Sequence, residues 1–457
     1  MNDQRENALQ YALKNKEKFL STYKEILAIP SVSTEKAHRP DIQRAADWLC
    51  TQLHALGMQK VQLFPTAGSP IVYGEYLGVP GAQTVLIYGH YDVQPVDPVE
   101  LWKTGPFEPT VIGEDIFARG ASDMKGQALI TLKAAESLIK TGGMPVNIKW
   151  LFEGEEEVGS PNLADFIGSH TEMLACDFAV NPDSGMIGKE FPTITYGLRG
   201  LAYFELRVFG PAHDLHSGMF GGVVHNPANA LAELIAGMHD ENGRVTLPGY
   251  YDKVRELSKE EHEELGRLPV YESDYLEQTG VSALHGEAGF SPNEQTGVRP
   301  TLDVNGLLSG FTGEGSKTVI PAWAMAKLSM RLVPDQDHKE VHRQLIQYLE
   351  QNAPNDIRWE LKSLAGNPAS ISERNNPGVQ AMAKALETVW GVRPYFKREG
   401  GSIPVVGDMQ RLLGVESVIC GFGLPDDNVH APNEKQNLPT WYQGISAYIH
   451  FLINLKP

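Results

Sequence analysis

Four glutamates fall within five positions of the stretch LFEGEEEVGS: Glu153, Glu155, Glu156 and Glu157. Like charges this close repel one another, and the end of an apolar strand is a costly place to leave them unpaired. Either the run is a solvated loop, or a strong positive charge stands against it. Four other places hold residue types that fit the second case. His90 and Asp92 follow the apolar run TVLIYG, Asp123 lies in GASDMKG, Asp183 in AVNPDSG and His430 in GLPDDNVHAP. Imidazole nitrogen and carboxylate oxygen suit zinc or manganese. Two histidines with three carboxylates are too many for one catalytic zinc, which takes three protein ligands and keeps a position open. They fit two ions that share a bridging carboxylate, a known clamp for hydrolysis. Two dications would also let crowded glutamates stay ionised. Each signal alone has an ordinary reading: a satisfied loop histidine, an aspartate that merely caps a helix, a wet acidic loop. Their shared placement, in loops just past apolar runs, is what favours a site.

The elements that must position these residues follow from periodicity. A helix is expected over residues 6–28, with Phe19, Leu20, Tyr23 and Leu27 as its stripe, and another over 41–56, with Trp48, Leu49 and Leu53 inward and Gly57 just past its end. Strand-like runs follow at 71–77, 84–89 and 146–152, with an amphipathic helix over 125–141 between the last two. Strands alternating with helices imply an α/β sheet covered on both faces, and ligands of such sheets sit off the carboxyl ends of the strands. The pattern changes near Gly200. AYFELRVFG and AMAKLSMRLV alternate apolar and polar residues, with interleaved helices from Pro227, capped by Asn226, and around 339–349. Half-polar strands of this kind imply an α+β domain whose sheet has one wet face. The last eighty or so residues return to the α/β style, opening with a helix at Asn376-Pro377. The expected architecture is therefore an α/β/α catalytic domain over 1–199 and 372–457, interrupted by a two-layer α+β insertion over 200–371.

Bulk properties agree with such a chain. At 457 residues it exceeds one ordinary core, and 42% hydrophobic with 21% charged residues is a globular composition. A formal charge of −18 without a basic stripe excludes a sequence-independent nucleic-acid binder. Cys50, Cys176 and Cys420 are sparse and show no CxxC spacing, which reads as a reducing compartment. The opening MNDQRENALQ has no apolar signal core, and no run approaches the ~20 apolar residues of a membrane span. The expected location is the cytoplasm, with no membrane partner.

The strings YGHYDVQP, FARGASDMKG, EGEEEVGS, YGLRG, DLHSGMFGG, TVIP, MRLVP, REGGSIPV and VHAPNE run from about residue 85 to 434. In this order they resemble the di-zinc metallopeptidase family of carnosinases, peptidase V, aminoacylases, acetylornithine deacetylases and glutamate carboxypeptidases, and most of all its carnosinase-like dipeptidase branch. The resemblance implies that the insertion is a lid that also carries a dimer contact. It implies His90, Asp123, Glu157, Asp183 and His430 as ligands of two zinc ions, with manganese or cobalt as alternatives. Asp123 would bridge, Glu157 and His430 would serve one ion, and His90 and Asp183 the other. Asp92 is similar to the residue that orients the first imidazole, and the peptide bond after Asp123 is cis in relatives. Glu156 is similar to the general base, which takes a proton from the attacking water and passes it to the leaving amine. Glu153 and Glu155 receive no role.

From the lid, His216 resembles a histidine that reaches into the partner subunit's site to hold the developing oxyanion. Arg331 resembles the residue that takes a substrate carboxylate, for which a guanidinium fork is suited. Thr318 and Ser402 resemble residues that hydrogen-bond substrate. The implied activity is amide hydrolysis of dipeptides or short peptides with a free C-terminal carboxylate, by a homodimer. The same metal chemistry would serve a deacylase of N-acyl amino acids, of the acetylornithine or succinyl-diaminopimelate type. A non-catalytic ligand-binding relative should have lost the base or a ligand, and none is missing. One departure stands out: carnosinase-like relatives have a histidine before the proline that opens the late helix, where this chain has Asn376.

Overall fold

The computed structural model describes residues 2–456, which fall into two compact units. Within that range the first comprises residues 2–196, 372–397 and 404–456, and the second 197–371 and 398–403. The crossing points thus lie at Tyr196/Gly197 and Ile371/Ser372, and the short loop carrying Ser402 groups with the second unit.

In the first unit the strands order as Lys60–Phe64, Ile71–Tyr76, Asn147–Glu153, Thr84–His90, Phe178–Asn181, Ser417–Ile419 and Thr193–Leu198. The four from Asn147–Glu153 to Ser417–Ile419 are mutually parallel, with antiparallel neighbours on either side. Apart from the partly buried Thr84 and Asn147, every residue of these four strands is buried, as required when helices cover both faces. The helix Lys125–Thr141 is buried from Lys125 through Leu138 and packs on the first helix of the chain and on Leu438–Asn454. All of its faces meet protein, which explains why its amphipathic pattern is weak.

One expected element differs. The first helical stretch is two helices, Asn2–Lys14 and Lys16–Leu27, rather than one. Asn15 lies between them with φ −104° and ψ 13°, its side-chain amide donating to the Tyr11 carbonyl at 2.8 Å. An asparagine side chain competes for backbone partners in this way and favours a break.

The second unit holds a four-stranded antiparallel sheet ordered Asp303–Ser309, Trp323–Leu332, Gly200–Phe209, Arg358–Asn367. On the central strands buried and partly exposed residues alternate. Phe204, Leu206, Val208, Ala326, Leu328 and Met330 form the inner face, covered by the helices Pro227–Ala236 and His338–Asn352 through Leu231, Leu234, Leu345 and Leu349. Asn226 caps the first of these helices, its side chain accepting from Ala228 N at 2.9 Å. The other face is polar: Lys327 pairs with Glu205 from the adjacent strand, and Arg207 pairs with it two residues along the same strand. Arg331 and Ser329 lie on this same face, two and one alternations from Lys327. Among the described residues no helix is long and apolar enough to cross a membrane, and all three cysteines are free.

Candidate metal centre

The parallel strands of the first unit end side by side, and the chain leaves each end carrying a ligand-type side chain. His90 is the last residue of Thr84–His90 and pairs in register with Glu153, beyond which the chain turns through Glu156 and Glu157. Asp183 follows Phe178–Asn181 in a turn where its N–H donates to Asn181 Oδ1 at 2.8 Å. His430 lies in the loop after Ser417–Ile419, in the left-handed region with φ 62°. Asp123 comes from the loop before the helix Lys125–Thr141, and its peptide bond to Met124 is cis.

These side chains converge. His90 Nε2 lies 3.0 Å from Asp123 Oδ1 and 3.8 Å from Asp183 Oδ2. His430 Nε2 lies 2.9 Å from Asp123 Oδ2 and 3.3 Å from Glu157 Oε2. Asp123 therefore stands between the two imidazoles, one carboxylate oxygen to each. Donor atoms of His90, Asp123 and Glu157 all lie within 4.8 Å of one another. His90 Nδ1 faces two acceptors, the Asp92 carbonyl at 3.1 Å and its carboxylate at 3.4 Å, so Nδ1 carries the proton and Nε2 is the nitrogen turned to the cluster.

The buried Asp92 carboxylate has a second task that its string did not disclose. It accepts the backbone N–H groups of Glu156 and Glu157 at 3.2 and 3.1 Å. One side chain thus orients an imidazole and pins the turn that presents both glutamates. Gln94, in the same YGHYDVQP string, has a part that the string likewise does not disclose: its amide donates to Glu157 Oε2 at 2.7 Å. The other two glutamates of the run are occupied elsewhere. Glu153 accepts from Tyr88 and Ser160 hydroxyls, and burial pushes its carboxyl up to about 8. Glu155 accepts from the Asn162 amide at 2.7 Å.

Electrostatics at the cluster show an excess of negative charge. Burial, reinforced by Asp123, Glu157 and Asp92 and opposed by His90, pushes Glu156 up to about 7. Asp183 is raised well above the carboxylate range by burial and by Asp123. Burial also pushes Asp123 upward, but hydrogen bonds from His430 and His90 outweigh it and hold this carboxyl below its ordinary value. His430 is pushed up to about 10 by Asp123 and Glu157. Four carboxylates with two imidazoles are a set that borderline dications would bind, and the donor chemistry fits them. It is also the answer to how four glutamates crowd a strand end: two face a cluster built for cations, and two are satisfied by hydroxyl and amide donors.

The other residues singled out in the sequence belong to the second unit, in two places. His216 is exposed and pairs in register with Val319, next to Thr318, whose carbonyl accepts from Ser217 N at 3.1 Å. His216 Nδ1 accepts from Gly218 N at 2.9 Å, which orients the ring. Arg331 donates to Ser402 Oγ at 3.2 Å, and that hydroxyl donates to the Arg199 carbonyl at 2.6 Å. Arg199, from the YGLRG string, went unassigned in the sequence. Its guanidinium donates to the Gly400 carbonyl at 3.2 Å, and a Cβ on Gly400 would come 2.8 Å from it. Glycine at 400 is what permits that approach. In the first unit Asn376 is a helix cap: its side chain accepts from Gly378 N at 2.8 Å and donates to Glu416 at 2.7 Å.

A family model described as Peptidase family M20/M25/M40 matches residues 86–454. The chain is 34% identical to the Cys-Gly metallodipeptidase dug1 of Schizosaccharomyces pombe, over 97% of each protein. It is 30% identical to the human Beta-Ala-His dipeptidase, covering 98% of this chain and 92% of the relative. Among solved structures, an M20 family metallo-carboxypeptidase, Sso-CP2 of Sulfolobus solfataricus, is 35% identical with a TM-score of 0.83, covering 96% of this chain and 99% of that one.

Proposed function

The chain belongs to Peptidase family M20/M25/M40, and from that premise we propose that it hydrolyses the amide bond of dipeptides or short peptides bearing a free C-terminal carboxylate. The observation that carries this reading is the placement of Asp123 between the imidazoles of His90 and His430, with Glu157 and Asp183 beside them. Dipeptidase names among relatives that align over nearly the whole chain support it.

In this reading Asp123 would be shared by two divalent ions, zinc first, with manganese or cobalt as alternatives. Glu157 and His430 would hold one, and His90 and Asp183 the other. Ions bound there would polarise the scissile carbonyl and acidify water. Glu156 is the general base. Among the described residues its carboxyl has no hydrogen-bond partner, so its lone pairs are open to a proton from the attacking water. The same group then delivers that proton to the leaving amine. Asp92 keeps the Glu156 turn in place through the backbone, so base and ligand are positioned by one carboxylate.

For the second unit we propose that Arg331 takes the substrate carboxylate, with Ser402 and Thr318 supplying hydrogen bonds. His216 of the partner subunit would hold the oxyanion in a homodimer. A cytoplasmic location accords with three free cysteines.

The test is metal content per chain together with turnover of Cys-Gly, Ala-Ala, β-Ala-His, N-acetylornithine and N-succinyl-diaminopimelate, repeated on Glu156→Ala. Two metals per chain, dipeptide turnover, and its loss in the metal-loaded variant are expected. Turnover of acylated amino acids alone would assign a deacylase instead.

A further inference from the structure

The loop that presents Asp123 is held by a carboxylate from near the other end of the chain. Glu434 is 1% exposed. Its Oε2 accepts from Arg119 Nη1 at 2.8 Å and Gly120 N at 2.9 Å. Its Oε1 accepts from Ser122 N at 2.9 Å and Asp123 N at 3.1 Å. Four donors thus converge on one side chain, one of them a buried guanidinium that also donates to the Pro95 carbonyl. Such a carboxylate is close to saturated in its acceptor sites.

A second buried carboxylate reaches the same loop. Asp427 Oδ2 accepts from Ser122 Oγ at 2.8 Å and from Leu424 N at 2.8 Å. The approach is close: a Cβ added to Gly423 would stand 2.7 Å from Ser122 Oγ. Asp427 and Glu434 flank His430 in sequence, so the segment that carries His430 grips the segment that carries Asp123 on both sides of the ligand pair. Beyond the grip, Lys435–Asn437 pairs antiparallel with Asp115–Phe117, which anchors both segments to each other. The distance that results is the 2.9 Å between His430 Nε2 and Asp123 Oδ2. Nothing in the local sequence of either loop would set it, since His430 and Asn428 sit in left-handed backbone conformations that need outside support.

We propose that Glu434, together with Asp427, positions the metal centre: by holding the N–H groups of residues 120, 122 and 123 and the Ser122 hydroxyl against the His430 loop, they set the spacing between the Asp123 carboxylate and the His430 imidazole, which would serve the same ion. The proposal rests on the reading of Asp123 and His430 as ligands. A purely structural carboxylate would change melting temperature alone. A positioning one changes how well the ions are held at temperatures where the fold is intact.

The experiment is a competition titration of zinc into chelator-stripped wild type, Glu434→Gln and Ser122→Ala, each checked by circular dichroism for wild-type fold. Glutamine has the same size, but one acceptor oxygen becomes an amide facing N–H donors. Glu434→Gln is expected to weaken zinc binding on the order of tenfold or more, the scale seen for groups that orient ligands, and to lower kcat at saturating zinc with KM unchanged. Ser122→Ala releases only the Asp427 grip and endangers folding least, so it carries the test if Glu434→Gln does not fold. It should weaken zinc binding in the same direction by a smaller factor. Wild-type zinc affinity in the folded variants, even with a lowered melting temperature, would overturn the proposal and leave the ligand reading standing. Failure of the wild type itself to take up zinc would overturn the ligand reading.

Discussion

At the scale of the residue, the proposed function gives Asp92 and Glu156 separable jobs. Glu156→Asp would draw the carboxylate back by one methylene while leaving the Asp92 bonds to the turn in place, since those go to the backbone. With the base displaced, kcat should fall by roughly 10²–10⁴-fold, the usual share of a general acid–base group. Metal content, measured on the same preparation, should be unchanged. Asp92→Asn is expected to behave differently. Its amide would face the N–H groups of Glu156 and Glu157 or the His90 ring, so zinc affinity and kcat should drop together, by about 10–100-fold. Equal zinc affinity in this variant and the wild type would contradict the dual role. His90, Asp123, Glu157 and His430 could be picked out because histidine and carboxylate in short strings past apolar runs are visible one string at a time. Gln94 and the backbone bonds of Asp92 could not, because amide side chains and N–H partners leave no distinctive pattern.

At the scale of the element, local signals read well where the cap and the stripe agree. The helix Lys125–Thr141 begins and ends where its apolar spacing and the following Gly142 place it. The helix Pro227–Ala236 begins at the expected Asn-Pro pair. The break at Asn15 leaves no mark in the sequence because the apolar stripe continues across it, while the competing side-chain bond to Tyr11 is a matter of one rotamer. Asn376 is a useful test case. The resemblance read in the sequence implies a histidine here, yet the asparagine side chain is engaged by Gly378 and Glu416. Asn376→Ala should therefore lower stability by about 1 kcal/mol, as for other N-caps, read by denaturant unfolding, with KM for dipeptides unaltered. A raised KM without loss of stability would make it a substrate contact instead. In the second unit, Phe204→Ala would empty a fully packed position of the inner sheet face and should cost about 3–5 kcal/mol, measured by the same unfolding assay.

At the scale of the whole molecule, the carboxylate excess predicts how stability depends on pH when metal is stripped away. Glu153 is pushed up to about 8, and Asp427 and Glu156 to about 7, in each case chiefly by burial. These groups hold protons in the native state that an unfolded chain releases above about pH 4.5. The native state then binds more protons, so stability falls as pH rises from about 4.5 to 7. His430, pushed up to about 10 by its carboxylate neighbours, continues the trend above pH 6.5. Chelator-treated protein should accordingly melt higher at pH 5 than at pH 7. Zinc should raise the melting temperature more at pH 7 than at pH 5, because binding displaces protons from its ligands and does so at less cost at the higher pH. A chelated protein that is most stable at pH 7 would contradict this. The sequence by itself determined which residues could bind cations, which runs are strands or helices, and the change from two-sided to one-sided strands near Gly200, since these depend on side-chain type and on periods of two to four residues. Only the tertiary structure decided that strands ending at His90, Glu153, Asn181 and Ile419 lie side by side, and that Glu434 holds the Asp123 loop from more than three hundred positions away. Strand order and long-range hydrogen bonds arise from packing between segments, and that packing has no period along the chain.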